Sequence, residues 1–309
     1  MRIVMMGSGG VGGFFGARLA KAGEDVSFVA RGAHLEAIRK HGILVENEPQ
    51  GDLRAEGVRA SSDPKDLGPA DIVILSVKLW DTAEAARAIL PIVGPDTAVL
   101  SLQNGVIKDD ILRGVFPQKS IMGGVAYVAS HIARPGVIHQ TGTMQRIVVG
   151  EYDGTASARA RALHEALLRS GVAAELSSDV RRVIWEKYVF LVGLSATTAT
   201  TRRPLGAVLE NPRSKAFLLE IMREVVRVGR AKGVALPEDY AEQRLAFAAT
   251  LPYDMTSSMA HDLDRGNRLE VEWLSGGVTQ LGAEAGVATP ANEAVCAILA
   301  PHAQGRGAK

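Results

Sequence analysis

The sequence predicts an α/β fold, with an N-terminal Rossmann-type doubly wound sheet followed by an all-helical C-terminal domain. A strand, a glycine-rich loop and a helix open the chain, and apolar strand runs then alternate with helical stretches through its first half. After Ser177-Ser178-Asp179, a capping sequence, helical periodicity continues alone. The expected organisation is a dinucleotide-binding domain over 1–178, a helical substrate and catalytic domain over 179–304, and a disordered tail over 305–309.

The first strand, Arg-Ile-Val-Met at 2–5, runs directly into Gly7-Ser8-Gly9-Gly10-Val11-Gly12, and the helix that follows stops at Ala22-Gly23. G-x-G-x-x-G spacing is informative here because strand and helix lie on the correct sides and a second strand, Val26 to Ala30, follows at βαβ distance. Gly7 permits the tight turn, Gly9 lets the backbone approach a pyrophosphate, and Gly12 allows close helix–strand packing. Backbone N–H groups of Gly7, Ser8, Gly9, Gly10, Val11 and Gly12 at the helix N-terminus form the expected phosphate cradle. The same glycines interrupt any apolar core of a signal peptide. At the end of the second strand, where an acidic residue would take the ribose 2′-hydroxyl of NAD, stands Arg31. A guanidinium there suits the 2′-phosphate of NADPH/NADP, a charge-assisted contact of about 1.5–3 kcal/mol.

Further strands are expected at Asp71 to Val77 and Ala98 to Gln103, both continuous apolar runs typical of buried parallel strands, with an alanine-rich helix between them. Runs at Ile121 to Ser130, Gly136 to Thr141 and Gln145 to Gly150 look antiparallel, and a helix is expected at 156–170. Helical patterns then cover 180–200, 212–233, 238–250, 258–265, 268–285 and 291–302. In a parallel sheet, ligands bind beyond the strands' C-terminal ends, which draws attention to Lys78 after Val77 and Asn104-Gly105 after Gln103 as cofactor or substrate contacts.

A net charge of +1, from 35 basic and 34 acidic residues, gives no signal for nucleic acid or an anionic membrane surface. The single cysteine, Cys296, excludes an intramolecular disulfide and fits a reducing, cytoplasmic setting. No apolar run is long enough to span a bilayer. The histidines show no metal-ligand spacing, so no metal is expected; His131 and His139 flank a turn and read as structural neighbours. The apolar content of the helical half is compatible with a homodimer.

Two charges stand on apolar helical faces. Lys187 shares its stripe with Val180, Val183, Ile184, Leu191 and Leu194. Buried, such an ammonium loses up to roughly 3–5 pKa units and becomes a candidate for proton transfer; the bland alternative is a surface lysine whose stem snorkels. Glu270 stands with Leu263, Leu274, Gly277 and Leu281, and a carboxylate and an ammonium so placed are best explained if they meet.

Taken together, Gly7-x-Gly9-x-x-Gly12, Arg31, Val77-Lys78, Gln103-Asn104-Gly105, Trp185-Glu186-Lys187 and Ser257-Ser258-Met259-x-x-Asp262-Leu263 with Glu270 make the whole chain resemble the ketopantoate reductases (2-dehydropantoate 2-reductases). The resemblance implies hydride transfer from NADPH to a 2-keto acid, giving a 2-hydroxy acid such as pantoate for pantothenate synthesis. Lys187 would be the general acid, and Glu270 would orient the substrate or that lysine and adjoin the cofactor. Ser258 would hold the substrate carboxylate, and Lys78 and Asn104 would line the nicotinamide end. Family members commonly carry asparagines where this chain has Leu191, Ser195 and Met255. Ser195 is kept as a substrate-binding position, but the pocket is more apolar, which points to a bulkier or more apolar 2-keto acid. Alternative readings are an opine-type or β-hydroxyacid dehydrogenase and a non-catalytic NADPH sensor.

Overall fold

Alternation within Arg2–Met6 (β1) sends Ile3 and Met5 into one core layer and Val4 and Met6 into another, so the first strand is buried on both faces of a sheet. The chain is described by a computed structural model over residues 1–46 and 51–306. It divides into two compact units, Met1–Gln103 with Lys108–Val183, and Ile184–Lys309 with Asn104–Ile107.

In the first unit β1 is followed by α1 (Gly10–Lys21), β2 (Asp25–Val29), α2 (Gly32–His41), β3 (Ile43–Glu46), β4 (Leu53–Ala55) and β5 (Arg59–Ser61). Then come β6 (Ala70–Leu75), α3 (Thr82–Ala88), β7 (Val93–Ser101), α4 (Lys108–Arg113), β8 (Ile121–Arg134), β9 (Val137–Glu151), α5 (Ala158–Arg169) and β10 (Ala173–Leu176). The strands form one sheet, β4-β3-β9-β8-β7-β6-β1-β2-β5, with β10 paired to β9. Its segment β5-β2-β1-β6-β7-β8 is wholly parallel, and counted along the chain these six strands lie in the order 3-2-1-4-5-6 of a dinucleotide-binding sheet. The order reverses between β1 and β6, where a doubly wound sheet opens its ligand crevice. The Ser76 hydroxyl clasps the two strand ends there by donating to the Gly7 carbonyl at 2.7 Å.

β8 and β9 form a long antiparallel hairpin, which merges the two runs expected at Gly136 to Thr141 and Gln145 to Gly150 into one strand. His131 and His139 face each other across it, with ring centroids 5.4 Å apart. The other edge of β9 takes β3 and β10. The four strands β3, β4, β5 and β10 carry only three or four residues each, too few for a periodic signal.

The second unit is helical. It holds most of α6 (Val180–Thr201), then α7 (Leu205–Glu210), α8 (Pro212–Ala231), α9 (Tyr240–Ala248), α10 (Ser258–Arg265), α11 (Ser275–Ala285) and α12 (Pro290–Leu299). The helix predicted over 268–285 starts only at Ser275. Gly266 closes α10 in the left-handed conformation, and the Leu269 N–H is taken by the Ala303 carbonyl, so 267–270 lies outside any helix and Glu270 does not stand on one. The Arg306 N–H donates to the Gly266 carbonyl at 2.9 Å, and of the tail expected over 305–309, residues 307–309 lie outside the described residues. Among the described residues no helix is long and apolar enough to cross a membrane.

Candidate active site

In the first unit the glycines divide their work. Gly7 has φ +100°, which a side chain would strain; Gly9, the N-cap of α1, faces open space. A Cβ on Gly10 would strike the Ser130 carbonyl, and one on Gly12 the Gly7 carbonyl and the Ser76 hydroxyl, so these two serve packing. No side chain caps α1 and no carboxylate lies in its first turn. An uncapped helix N-terminus behind a loop with room at Gly9 fits a dinucleotide pyrophosphate. Val11 sits half-buried in that first turn. The Ser8 side chain is not part of the cradle, because its hydroxyl is buried and donates to the Val29 carbonyl at 2.8 Å.

His34, unassigned by sequence reasoning, braces the loop. Its Nδ1 accepts from the Gly136 N–H at 3.0 Å, so Nε2 carries the proton and donates to the Ser8 carbonyl at 2.8 Å. The bond accepted at Nδ1 needs the neutral ring, and burial lowers the His34 pKa below its ordinary value against the opposing pull of the Ser8 carbonyl. An imidazole three residues into a helix that starts beside a phosphate loop was the available signal. Because the folded value is depressed, the stability contributed by His34 is complete above about pH 6.5 and falls as pH drops toward the folded value. We expect the melting temperature and dinucleotide affinity to decline together on acidification below about pH 6.5. In His34→Gln this component of the decline should disappear, and a pH series of melting curves on both chains checks it.

Arg31 is exposed at the N-cap of α2, two residues beyond β2, with no carboxylate in the first turn of that helix. Lys78 is exposed beyond β6, its ammonium 5.6 Å from the centroid of the Trp80 ring. A buried ion pair, Lys108 with Asp109 at 2.9 Å, stands at the start of α4. Lys108 Nζ also donates to the Ser101 carbonyl at 3.0 Å, which pins the two ends of the 102–107 segment.

In the second unit Lys187 Nζ donates to Asn104 Oδ1 at 2.9 Å, joining residues 83 apart in sequence. Lys187 is half-buried, as are Val183 and Leu191 one turn to either side, whereas Ile184, Tyr188 and Val192 form the covered face. It therefore lies at the margin of the apolar face, outside the buried core. Tyr188 is fully buried, and its hydroxyl donates to the Leu274 carbonyl at 2.6 Å, fastening α6 to the turn that follows Glu270. The Glu270 carbonyl accepts from the Trp273 and Leu274 N–H groups, and the residue is 8% exposed.

Ser195, two turns beyond Lys187 on α6, is completely buried and its hydroxyl has no protein partner. The adjacent serines separate in role. Ser257 is the buried N-cap of α10, accepting from the Ala260 N–H and bonded to Thr198 Oγ1 at 2.9 Å, while Ser258 is exposed at the first position of the helix. Met255 is half-buried. Cys296 is also half-buried, and burial with Glu272 and Glu293 nearby pushes its thiol up to about 11, which disfavours the thiolate. Among the described residues no cluster of three or more histidines, cysteines and carboxylates could hold a metal.

Comparison with known proteins matches residues 3–154 to the family model "Ketopantoate reductase PanE/ApbA" and 179–303 to its C-terminal counterpart. The chain is 34% identical to the 2-dehydropantoate 2-reductase of Archaeoglobus fulgidus, over 93% of this chain and 92% of that one. A solved PanE/ApbA family ketopantoate reductase from Ralstonia eutropha is 34% identical over 98% of both chains, with a TM-score of 0.88. A D-mandelate dehydrogenase solved with NADH and anilino(oxo)acetate shares the fold at 21% identity and a TM-score of 0.88, over 98% of each chain. With both units matched along nearly their whole length, the chain belongs to the ketopantoate reductase family, oxidoreductases that act on CH–OH groups.

Proposed function

We propose that this protein reduces the carbonyl of a 2-keto acid to a hydroxyl with NADPH as the hydride donor. The observation that carries the reading is Lys187, a half-buried ammonium whose Nζ is held by Asn104 Oδ1. The amide oxygen accepts one of the three N–H donors, which fixes the direction of the remainder without neutralising the charge. Lys187 then donates a proton to the carbonyl oxygen as charge develops there. Glu270 orients the lysine or the substrate and adjoins the cofactor, Ser258 holds the substrate carboxylate at the N-terminus of α10, and Lys78 and Asn104 line the nicotinamide end.

The glycine loop from Gly7 to Gly12 holds the pyrophosphate through backbone N–H groups, and Arg31 takes the 2′-phosphate. Replacing Arg31 by alanine is expected to lower the preference for NADPH over NADH about 10- to 100-fold, read as the ratio of the two kcat/KM values. An unchanged ratio would remove Arg31 from cofactor selection.

The substrate itself is 2-dehydropantoate or a more apolar 2-keto acid. Leu191 offers no hydrogen bond, and the Ser195 hydroxyl lies completely buried, so α6 presents a less polar surface beyond the lysine than asparagines would. A site lacking hydrogen-bond partners for a hydroxylated substrate has less reason to select one. NADPH oxidation with 2-dehydropantoate and a panel of aliphatic and aromatic 2-keto acids tests this, with Lys187→Ala alongside. Strong selectivity for 2-dehydropantoate would overturn the apolar assignment, and NADPH binding without turnover on any keto acid would overturn the reductase reading. The protein works in the cytoplasm, and as a homodimer if its helical unit self-associates.

A further inference from the structure

Gln103, the residue before Asn104, has its side-chain amide and oxygen engaged inside the first unit. Nε2 donates to the Val77 carbonyl at 3.0 Å and to Thr82 Oγ1 at 2.8 Å, and Oε1 accepts from the Ser101 hydroxyl at 2.9 Å. Thr82 Oγ1 passes its own proton to the Leu79 carbonyl at 2.7 Å. Val77 and Leu79 flank Lys78. One carboxamide therefore holds the peptide carbonyls on both sides of that lysine, one directly and the other through a hydroxyl. The Lys78 carbonyl is taken as well, by the Asp81 N–H at 2.9 Å.

The chemistry of the set fixes its orientation. Two carbonyls can only accept, so the NH2 end of Gln103 must face Val77, and the Thr82 hydroxyl must donate onward to Leu79. Thr82 is 0% exposed and Gln103 is 8% exposed, so neither side chain is offered to solvent. Lys78 is the opposite: it is exposed on a long flexible stem, and where its ammonium can reach depends on where its backbone is held.

We propose that Gln103 and Thr82 are positioning residues that set the place of Lys78 in the reduction, an inference that rests on the role given to Lys78 above. They act by holding the 77–79 backbone, to which their side chains are bonded. Loss of a buried hydrogen bond in such a chain displaces a working group by a fraction of an ångström, and misplacement on that scale costs rate far from the chemistry.

The experiment is a double-mutant cycle in the full chain, read as kcat and KM for NADPH and for the best keto acid of the panel, with melting temperatures as a fold control. Thr82→Val keeps the shape of the side chain and removes the hydroxyl; Thr82→Ser keeps the hydroxyl. Thr82→Val is expected to lower kcat/KM about tenfold, and Thr82→Ser to remain near the unaltered chain. In a Lys78→Ala background, Thr82→Val should bring little further loss, because the group it positions is already gone. Gln103→Met provides an independent variant if Thr82→Val fails to fold, with the same loss expected and the same silence in Lys78→Ala. Fully additive losses, or kinetics unchanged in Thr82→Val and Gln103→Met, would overturn the proposal while leaving Lys78 its role. Unchanged kinetics in Lys78→Ala itself would overturn the role of Lys78, and the proposal with it.

Discussion

Lys187→Ala is expected to lower kcat by about 10²–10⁴-fold while leaving NADPH affinity nearly intact, because the substitution removes a proton donor and not a cofactor contact. Solvent water can still protonate the developing alkoxide, which is why the loss is severe but incomplete. Lys187→Arg is expected to fail almost as badly. A guanidinium keeps the charge but holds its protons too tightly, and its planar fork cannot occupy the position of an ammonium donating to Asn104 Oδ1 at 2.9 Å. Asn104→Ala should cost less, about tenfold, since the donor survives and only its direction is released. Steady-state kinetics on the three variants, with NADPH binding followed by fluorescence, separates these cases. A Lys187→Ala enzyme within a few-fold of the unaltered chain would remove Lys187 as the general acid.

The largest expected effect on stability lies far from this chemistry, at Glu224 on α8. Its carboxylate is completely buried and accepts three hydrogen bonds, from the Ala291 N–H at 2.7 Å, the Asn292 N–H at 2.9 Å and Asn292 Nδ2 at 2.7 Å. Those donors form the N-terminus of α12, where the helix dipole favours a negative group, so one side chain caps α12 and joins it to α8. Glu224→Ala strands three donors in the interior and opens a cavity. The expected loss is about 3–5 kcal/mol, with much less in Glu224→Gln, which keeps the shape and one accepting oxygen. Urea denaturation followed by far-ultraviolet circular dichroism reads both. A loss in Glu224→Ala below about 1 kcal/mol would mean that water replaces the carboxylate.

Features that depend on neighbours in sequence were legible before the structure. The glycine loop and Arg31 are read from spacing within one βαβ unit, and α8 and α10 begin at Pro212 and Ser258 because Asn211 and Ser257 cap them with their side chains. Glu270 shows the limit of periodicity. Leu263, Leu274 and Leu281 are buried at helical spacing from it, which imitates a continuous stripe, yet the Leu269 N–H is claimed by the Ala303 carbonyl, which no sequence window includes. The acceptor for Lys187 was hidden for the same reason, since Asn104 and Lys187 meet only through folding. His34, Thr82 and Gln103 carry no charge signal in the sequence, and their importance comes from which carbonyls they reach.

Residues 104–107 belong to the helical unit although the chain on either side of them belongs to the sheet. The polypeptide therefore passes between the units three times, after Gln103, after Ile107 and after Val183. A fragment beginning at 184 would carry Lys187 without the segment that supplies Asn104, so the helical half expressed alone would lose the amide oxygen that accepts from Lys187 Nζ. In this chain the four-residue insert 104–107 has to accompany the helices if that hydrogen bond is to be kept, even though both units bury apolar side chains of their own.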